Sequence, residues 1–351
     1  MRCGRVGSRI PGRSVLWPLL AISLLASGCG GGAALFAGGG IGGTGLSTGV
    51  IAAFGSVVID DVHYLTDNQV GPRFRTMKIV EGMDDTGTAD NVAFRIGMVV
   101  RIHHGADDNI ATRIDFLDDL EGPVSGKNPD NTFDILGQAV LVDGGTHFYD
   151  DTGTPPFGSF ADIGDNNVLQ VSGLADQAGV IHATFIERKR PAPQGGMYEI
   201  KGYVSGLDTA TKRFTIGPLP NTGTVVVAYE NAMFENLPPG GLADGIFVEV
   251  ETLSTAGPMI SARNVEGRDS EADEAAGVAR LSMEGFPANI DNTAETFDLN
   301  AVRVTTSADT RYVDATGGPR NSFASVTATT RLKAEGSYAA GVLSADTITF
   351  R

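Results

Sequence analysis

Residues 201–216 read KGYVSGLDTATKRFTI, a glycine, a short extended run, a polar turn, and a second run in which Phe214 and Ile216 alternate with Arg213 and Thr215. Apolar residues at a period of two mark a strand with one buried face, and the Asp, Thr and Lys between the runs supply turn chemistry. The pattern recurs. TGVIAAFGSVVIDD places Gly49 in the same position, EGPVSGKNPDNTFDIL places Gly122, and EGFPANIDNTAETFDL places Gly285. The second runs match as well: Val57/Ile59, Phe133/Ile135 and Phe297/Leu299 stand where Phe214/Ile216 stand.

A second landmark repeats with the same spacing. Each unit closes on an alanine ahead of an aliphatic residue, at Ala111, Ala183 (ATFI), Ala262 (ARNV) and Ala345 (ADTI). The opening glycines lie 73, 80 and 83 residues apart and the closing alanines 72, 79 and 83, so the landmarks bound one repeated structural unit. Late in the units, Val100/Ile102, Leu169/Val171, Val248/Val250 and Leu332/Ala334 alternate with Arg101, Gln170, Glu249 and Lys333. This alternation predicts strands with one apolar face and one wet face. Turn clusters such as DDTGTADN, KNPDN, LPNTG and NIDNTAE separate the runs, and helical periodicity is confined to stretches such as SFADIG.

Units of about 70 residues with five or six short strands suit small barrels, which remove exposed sheet edges. The expected fold is all-β: tandem small OB-like β-barrels, about four repeats, after a flexible Gly-rich tether. The expected boundaries are 49–119, 120–190, 198–268 and 280–351, with an acidic linker at 269–279 and the run RDSEADEAAG at 268–277 read as solvated. A domain this small buries only about 60 per cent of its unfolded surface, so neighbouring units are expected to pack together.

Ahead of the repeats, MRCGRVGSRIPGR carries four arginines and no acid, VLWPLLAISLLA is a short apolar run, and Leu25-Ala26-Ser27-Gly28-Cys29 closes with small residues before a cysteine. A positive segment, an apolar segment and a processing site make a secretory signal over residues 1–28. The apolar run is shorter than the roughly 20 residues a spanning helix needs. The last five residues resemble a bacterial lipobox, with Ala26 where that pattern more often has Leu. The resemblance implies that Cys29 carries the lipid and becomes the mature N-terminus. The chain's other cysteine, Cys3, leaves with the signal, so the folded part has no thiol for a disulfide, a nucleophile or a Cys-ligated metal. Residues 29–48 are glycine-dense and are expected to form the tether.

Without residues 1–28 the chain has 22 basic and 42 acidic residues, a formal charge of −20. A nucleic-acid partner is excluded on that field, because binding to phosphate backbones begins with a basic footprint. Two motifs lack their context: Gly38, Gly40 and Gly43 fit G-x-G-x-x-G, and Gly45-Leu46-Ser47-Thr48-Gly49 fits G-x-S-x-G, neither in a strand-turn-helix setting.

The first unit, from Thr48-Gly49-Val50-Ile51 through Phe54-Gly55-Ser56-Val57-Val58-Ile59 to Phe94-Arg95-Ile96-Gly97-Met98-Val99-Val100, resembles the bacterial family known as domain of unknown function 5666. Asp60-Asp61 stands where that family usually has an Asn-Gly turn. The resemblance implies a β fold in exported or lipid-anchored proteins with several copies, and it brings no catalytic residues.

Candidate chemistry is sparse. His103-His104-Gly105-Ala106-Asp107-Asp108 has zinc-ligand types, but adjacent strand residues face opposite ways, so both histidines reach one ion only if the strand has ended. His63, His147 and His182 stand singly in strands. Asp60/Asp61, Asp118/Asp119 and Asp150/Asp151 suit calcium or glycosidase carboxylates by type, yet no D-x-D-x-D-G loop is present. No catalytic residue, metal ligand or cofactor is therefore assigned. The expected function is an envelope lipoprotein with a non-enzymatic structural or interaction role. It would be lipid-anchored to the outer membrane, on its periplasmic face or surface, with the membrane and an envelope protein or glycan as partners. The alternatives are a module binding an oligosaccharide or peptide, and a hydrolase.

Overall fold

A computed structural model describes residues 44–351 apart from 72, 107, 151, 154–155, 255–258 and 317–321. Signal residues 1–28, Cys29 and the tether up to residue 43 lie outside the described residues. The described residues fall in one compact unit, and their regular secondary structure is nearly all strand.

The first repeat contains β1 (Thr44–Ala53), β2 (Val57–Ile59), β3 (Val62–Tyr64), β4 (Met77–Val80), β5 (Met83–Asp84), β6 (Val99–Gly105) and β7 (Ala111–Phe116). The second has β8 (Leu120–Ser125), β9 (Thr132–Ile135), β10 (Gln138–Asp150), β11 (Val168–Ala175) and β12 (Ile181–Arg190). The third has β13 (Tyr198–Asp208), β14 (Arg213–Gly217), β15 (Val225–Ala228), β16 (Met233–Glu235), β17 (Phe247–Thr252) and β18 (Met259–Gly267). The fourth has β19 (Arg280–Gly285), β20 (Ala288–Asp291), β21 (Thr296–Leu299), β22 (Val302–Thr305), β23 (Arg311–Asp314), β24 (Leu332–Ala339) and β25 (Val342–Phe350).

One ring of pairings repeats. In the second unit β8 pairs β9, β9 pairs β10, β10 runs parallel to β12, β12 pairs β11, and β11 returns to β8. In the third, β13, β14, β15, β18 and β17 close the same way. The fourth closes through its bent first strand, since β19 pairs β24 and β20 pairs β21 on either side of Phe286-Pro287. In the first, β3 leads to a bridge between Leu65 and Ile110, and β4 then runs parallel to β7 from Met77/Arg113 to Ile79/Asp115. This is the closed five-stranded solution that leaves no long sheet edge, as in OB-like barrels.

The landmark residues sit where the ring needs them. All four opening glycines lie on the first strand of their unit, and at Gly202 a Cβ would strike the carbonyl of Gly217 on β14. That close approach lets the first strand fold over the second. The closing alanines are all buried on the last strand. Each final hairpin also carries a register shift at one place, beside His103/His104, Ser172/Gly173, Glu251/Thr252 and Glu335/Gly336. A bulge there adds the bend that closure requires.

The barrels join in two sheets. β8 and β13 pair antiparallel at Leu120/Ile200 and Glu121/Glu199, and the cores of the second and third units form one apolar cluster. β1 and β19 pair parallel from Gly45/Arg280 to Thr48/Met283, joining first to fourth. Units also lend side chains to each other. Leu46 of β1 packs in the fourth unit's core, and Phe185 of β12 packs in the first unit's, edge-on to Phe116 at 5.8 Å.

Three expectations are corrected. The tether was expected to reach residue 48, but Thr44–Thr48 already lie in β1 between β6 and β19, with Leu46 fully buried. Glycine density there reflects packing, since the His104 ring occupies the place a Cβ on Gly45 would take. The linker at 269–279 was expected to be solvated. Instead Ser270 caps a one-turn helix α1 (Glu271–Glu274) through a capping box, and Ala275 and Val278 enter the fourth unit's core. The faces expected to be wet are also buried: Arg101, Gln170, Glu249 and Lys333 are 7%, 1%, 6% and 7% exposed. They point away from their own cores, as the alternation requires, but other side chains cover them: Glu271 and Glu274 meet Arg101, Glu81 meets Gln170, and Lys201 and Arg268 meet Glu249.

Candidate functional site

Two of those outward-facing residues, Arg101 and Glu249, line a cavity of about 380 Å³ to which all four units contribute. β6 and β7 bring Arg101, Arg113 and Asp115, the connection from β7 to β8 brings Asp118 and Asp119, β13 and β17 bring Glu199, Lys201 and Glu249, and α1 brings Glu271 and Glu274. Nine carboxyl groups and four cationic side chains line it. Apolar side chains also line it, among them Leu174, Leu219 and the Tyr203–Phe247 pair, whose ring centroids are 5.0 Å apart at 66°.

Lys201 organises the floor. Its Nζ lies 2.5 Å from Asp118 Oδ1, 3.1 Å from Glu199 Oε1 and 3.7 Å from Glu249 Oε2. Burial alone would lower the Lys201 ammonium, but these three carboxylates raise it well above the ordinary lysine value. Burial would likewise raise Asp118, yet Lys201 and the hydrogen bond from Glu199 hold it at about 2. Glu199 moves the other way, to about 9, because it is buried and shares its proton with Asp118. Asp119 rises to about 7 by burial, although it accepts the Gly173 N–H at 2.8 Å.

Across the cavity Arg101 donates from Nε and Nη2 to Glu271 Oε1 at 3.2 and 3.1 Å, and its Nη1 lies 3.2 Å from Glu274. His103 Nε2 stands 3.6 Å from Asp115 Oδ2 and 3.5 Å from Glu274 Oε2. Asp115 Oδ1 accepts from Arg113 Nε at 2.8 Å, while Oδ2 has no hydrogen-bond partner.

His104 faces the opposite side of β6. Its Nε2 is 3.0 Å from the Ser47 hydroxyl, its Nδ1 is 2.6 Å from the Gly105 carbonyl, and its ring lies 5.2 Å from that of Tyr64. The two adjacent histidines therefore do not converge on one ion, as strand geometry requires. Ser47, from the G-x-S-x-G match, also accepts the Tyr64 hydroxyl at 2.7 Å and is buried in mid-strand. These residues border a second cavity of about 260 Å³ between the first and fourth units.

The remaining candidates are local. His63 bonds Ser56 at 2.9 Å, and His182 lies 3.2 Å from Asp176 and stacks on Phe286 at 4.3 Å. The side chain of His147 lies where a Cβ on Gly97 would fall. Asp60 and Asp61, at φ 52° and 63°, form the turn between β2 and β3, and both pair with Arg351. Burial and the nearby Glu284 carboxylate push Asp60 to about 7. Asp150 forms a two-point pair with Arg188, and Asp151 lies outside the described residues, as does Asp107. Among the described residues, no group of three or more His, Cys, Asp or Glu side chains is arranged to hold a metal ion. Sequence reading missed the central cavity because its walls come from positions far apart in the chain. The only signal was a charged residue on a late strand of units 1 and 3, at Arg101 and Glu249.

The family model described as domain of unknown function (DUF5666) matches residues 121–187 and 286–349. Those matches fall on the second and fourth barrels and not on the first, where the sequence reading placed the resemblance, and the chain carries tandem repeats resembling that family. No curated protein and no solved structure matches the chain.

Proposed function

We propose that the protein is a lipid-anchored envelope protein whose four-barrel body is a non-enzymatic platform for structure and interaction. The observation that carries this reading is how the buried charges are used. Arg101 reaches Glu271 and Glu274, Lys201 reaches Asp118 and Glu199, and Arg351 reaches Asp60 and Asp61. Each set joins parts of the chain that belong to different barrels or their connections. Charges spent in this way hold a surface rigid, which suits binding a partner without transforming it.

The sequence supplies the address. Cys29 after its small-residue run is the lipidation site, the outer membrane is the destination, and the acidic body leaves nucleic acid out of the partners. Intact mass of protein extracted from membranes should show a chain beginning at Cys29 with added acyl mass, lost in Cys29→Ser. A free, cleaved and unmodified wild-type chain in the periplasm contradicts the anchor. A fluorophosphonate probe should leave Ser47 unlabelled, and labelling that Ser47→Ala removes contradicts the non-enzymatic part.

A second reading, ligand binding, is favoured by the central cavity. Its volume lies in the range of small-molecule pockets, and it combines apolar side chains with convergent polar groups.

A further inference from the structure

We propose that the central cavity binds a small organic cation, an ammonium or amidinium group carried on an apolar body. The inference deepens the ligand-binding reading and rests on it. Three independent features of the cavity point to this class.

The first is charge. Lys201, Arg101, Arg113 and Arg268 are the four lining cations, and each is already paired with a carboxylate of the body, at 2.5, 3.1, 2.7 and 2.9 Å. Even with Glu199 and Asp119 holding protons, seven carboxylates face those four cations. Lys189 pairs with one of the seven, Glu81, and the surplus is still negative; the partial burial of these carboxylates strengthens their pull on a cation.

The second is a loosely held acceptor. Asp115 is 6% exposed, lines the cavity, and has one oxygen committed to Arg113, while Oδ2 faces only His103 Nε2 at 3.6 Å, beyond hydrogen-bond distance. Burial would raise its proton affinity, but His103 and Arg113 keep the carboxyl below its ordinary value and therefore ionised. A buried carboxylate oxygen held this loosely costs free energy, and a ligand N–H at hydrogen-bond distance lowers that cost. Glu274 Oε2, 3.5 Å from His103, adds a second acceptor beside it.

The third is the apolar part of the lining. Leu174, Leu219 and the edge-on Tyr203–Phe247 pair border the same 380 Å³. A hydrated metal ion has no use for these side chains. An amine with an aromatic or aliphatic body covers them, and aromatic rings attract a desolvated cation.

Isothermal titration of the full-length protein in detergent with benzylamine, benzamidine, benzyl alcohol and benzoate tests the proposal. The two cations should bind saturably at one site, at least about tenfold tighter than the alcohol, with benzoate excluded. Asp115→Asn and, separately, Glu271→Gln should weaken benzylamine by about tenfold or more, and high salt should do the same. Circular dichroism melts show which of the two variants keeps the fold, and that variant decides. Equal affinity for benzylamine and benzyl alcohol, or unchanged benzylamine binding in the folded variant, overturns the proposal. Saturable binding of the alcohol as tight as that of the amine overturns the cation class and leaves the ligand-binding reading standing, whereas no saturable binding by any of the four compounds fails both.

Discussion

Glu199 shows what a single residue contributes to this body. On β13 it stands across from Glu121 of the second barrel and holds a proton against Asp118, and its pKa rises from 4.5 to about 9. The unfolded chain loses that proton near pH 4.5, so between pH 4.5 and 9 the folded state binds more protons. Stability present below pH 4.5 is therefore lost as pH rises through about 9. Asp60 and Asp119 act the same way through about 7, whereas Asp118, held at about 2, matters only in acid. The window above pH 7 thus belongs to Glu199 among these groups. Melting temperature should fall from pH 7 to 10, and Glu199→Gln, whose amide donates to Asp118 as the acid does, should remove most of that fall. An equal fall in the variant contradicts this assignment. None of it was legible in the sequence, where Glu199 is one polar residue of an alternating strand and its partner precedes the neighbouring barrel.

Strands and turns were far more legible, because their causes are local. The period of two placed Phe133/Ile135, Phe214/Ile216 and Phe297/Leu299 on β9, β14 and β21, with all six side chains buried. The turn clusters supply the left-handed residues that hairpins need, at Asn131, Lys212 and Glu295 with φ 64°, 56° and 52°. The bulge in each final hairpin was not legible, since it is a register difference between two strands. Gly336 marks it in the fourth unit, where a Cβ would collide with the Ser344 carbonyl. Gly336→Ala should cost about 1–3 kcal/mol in denaturant unfolding, the range for overpacking a tight site. Gly341→Ala, in the turn of the same hairpin with nothing near its Cβ, should cost less despite its φ of 82°. A larger loss at Gly341 contradicts the account of closure by bulge.

At the scale of the molecule, four barrels of one topology become one body because their outward faces are not solvent faces. Glu271 and Glu274 looked like part of a solvated acidic run, yet they turn on Arg101 some 170 residues earlier. Small barrels have little core of their own, so burying these faces supplements it, and the paired charges select the register in which the barrels meet. The first and fourth barrels, furthest apart in sequence, are joined by β1 and β19 with Leu46 as the apolar peg. Repeat spacing alone equally well describes separate barrels on a string.

Hydrogen exchange followed by mass spectrometry separates these arrangements at the β1–β19 seam. A closed body protects peptides covering residues 44–50 and 280–285 as strongly as the shared core of the second and third barrels, because opening the seam exposes Leu46 and breaks the parallel ladder. Rapid exchange of both segments while β8 and β13 stay protected would contradict the closed body.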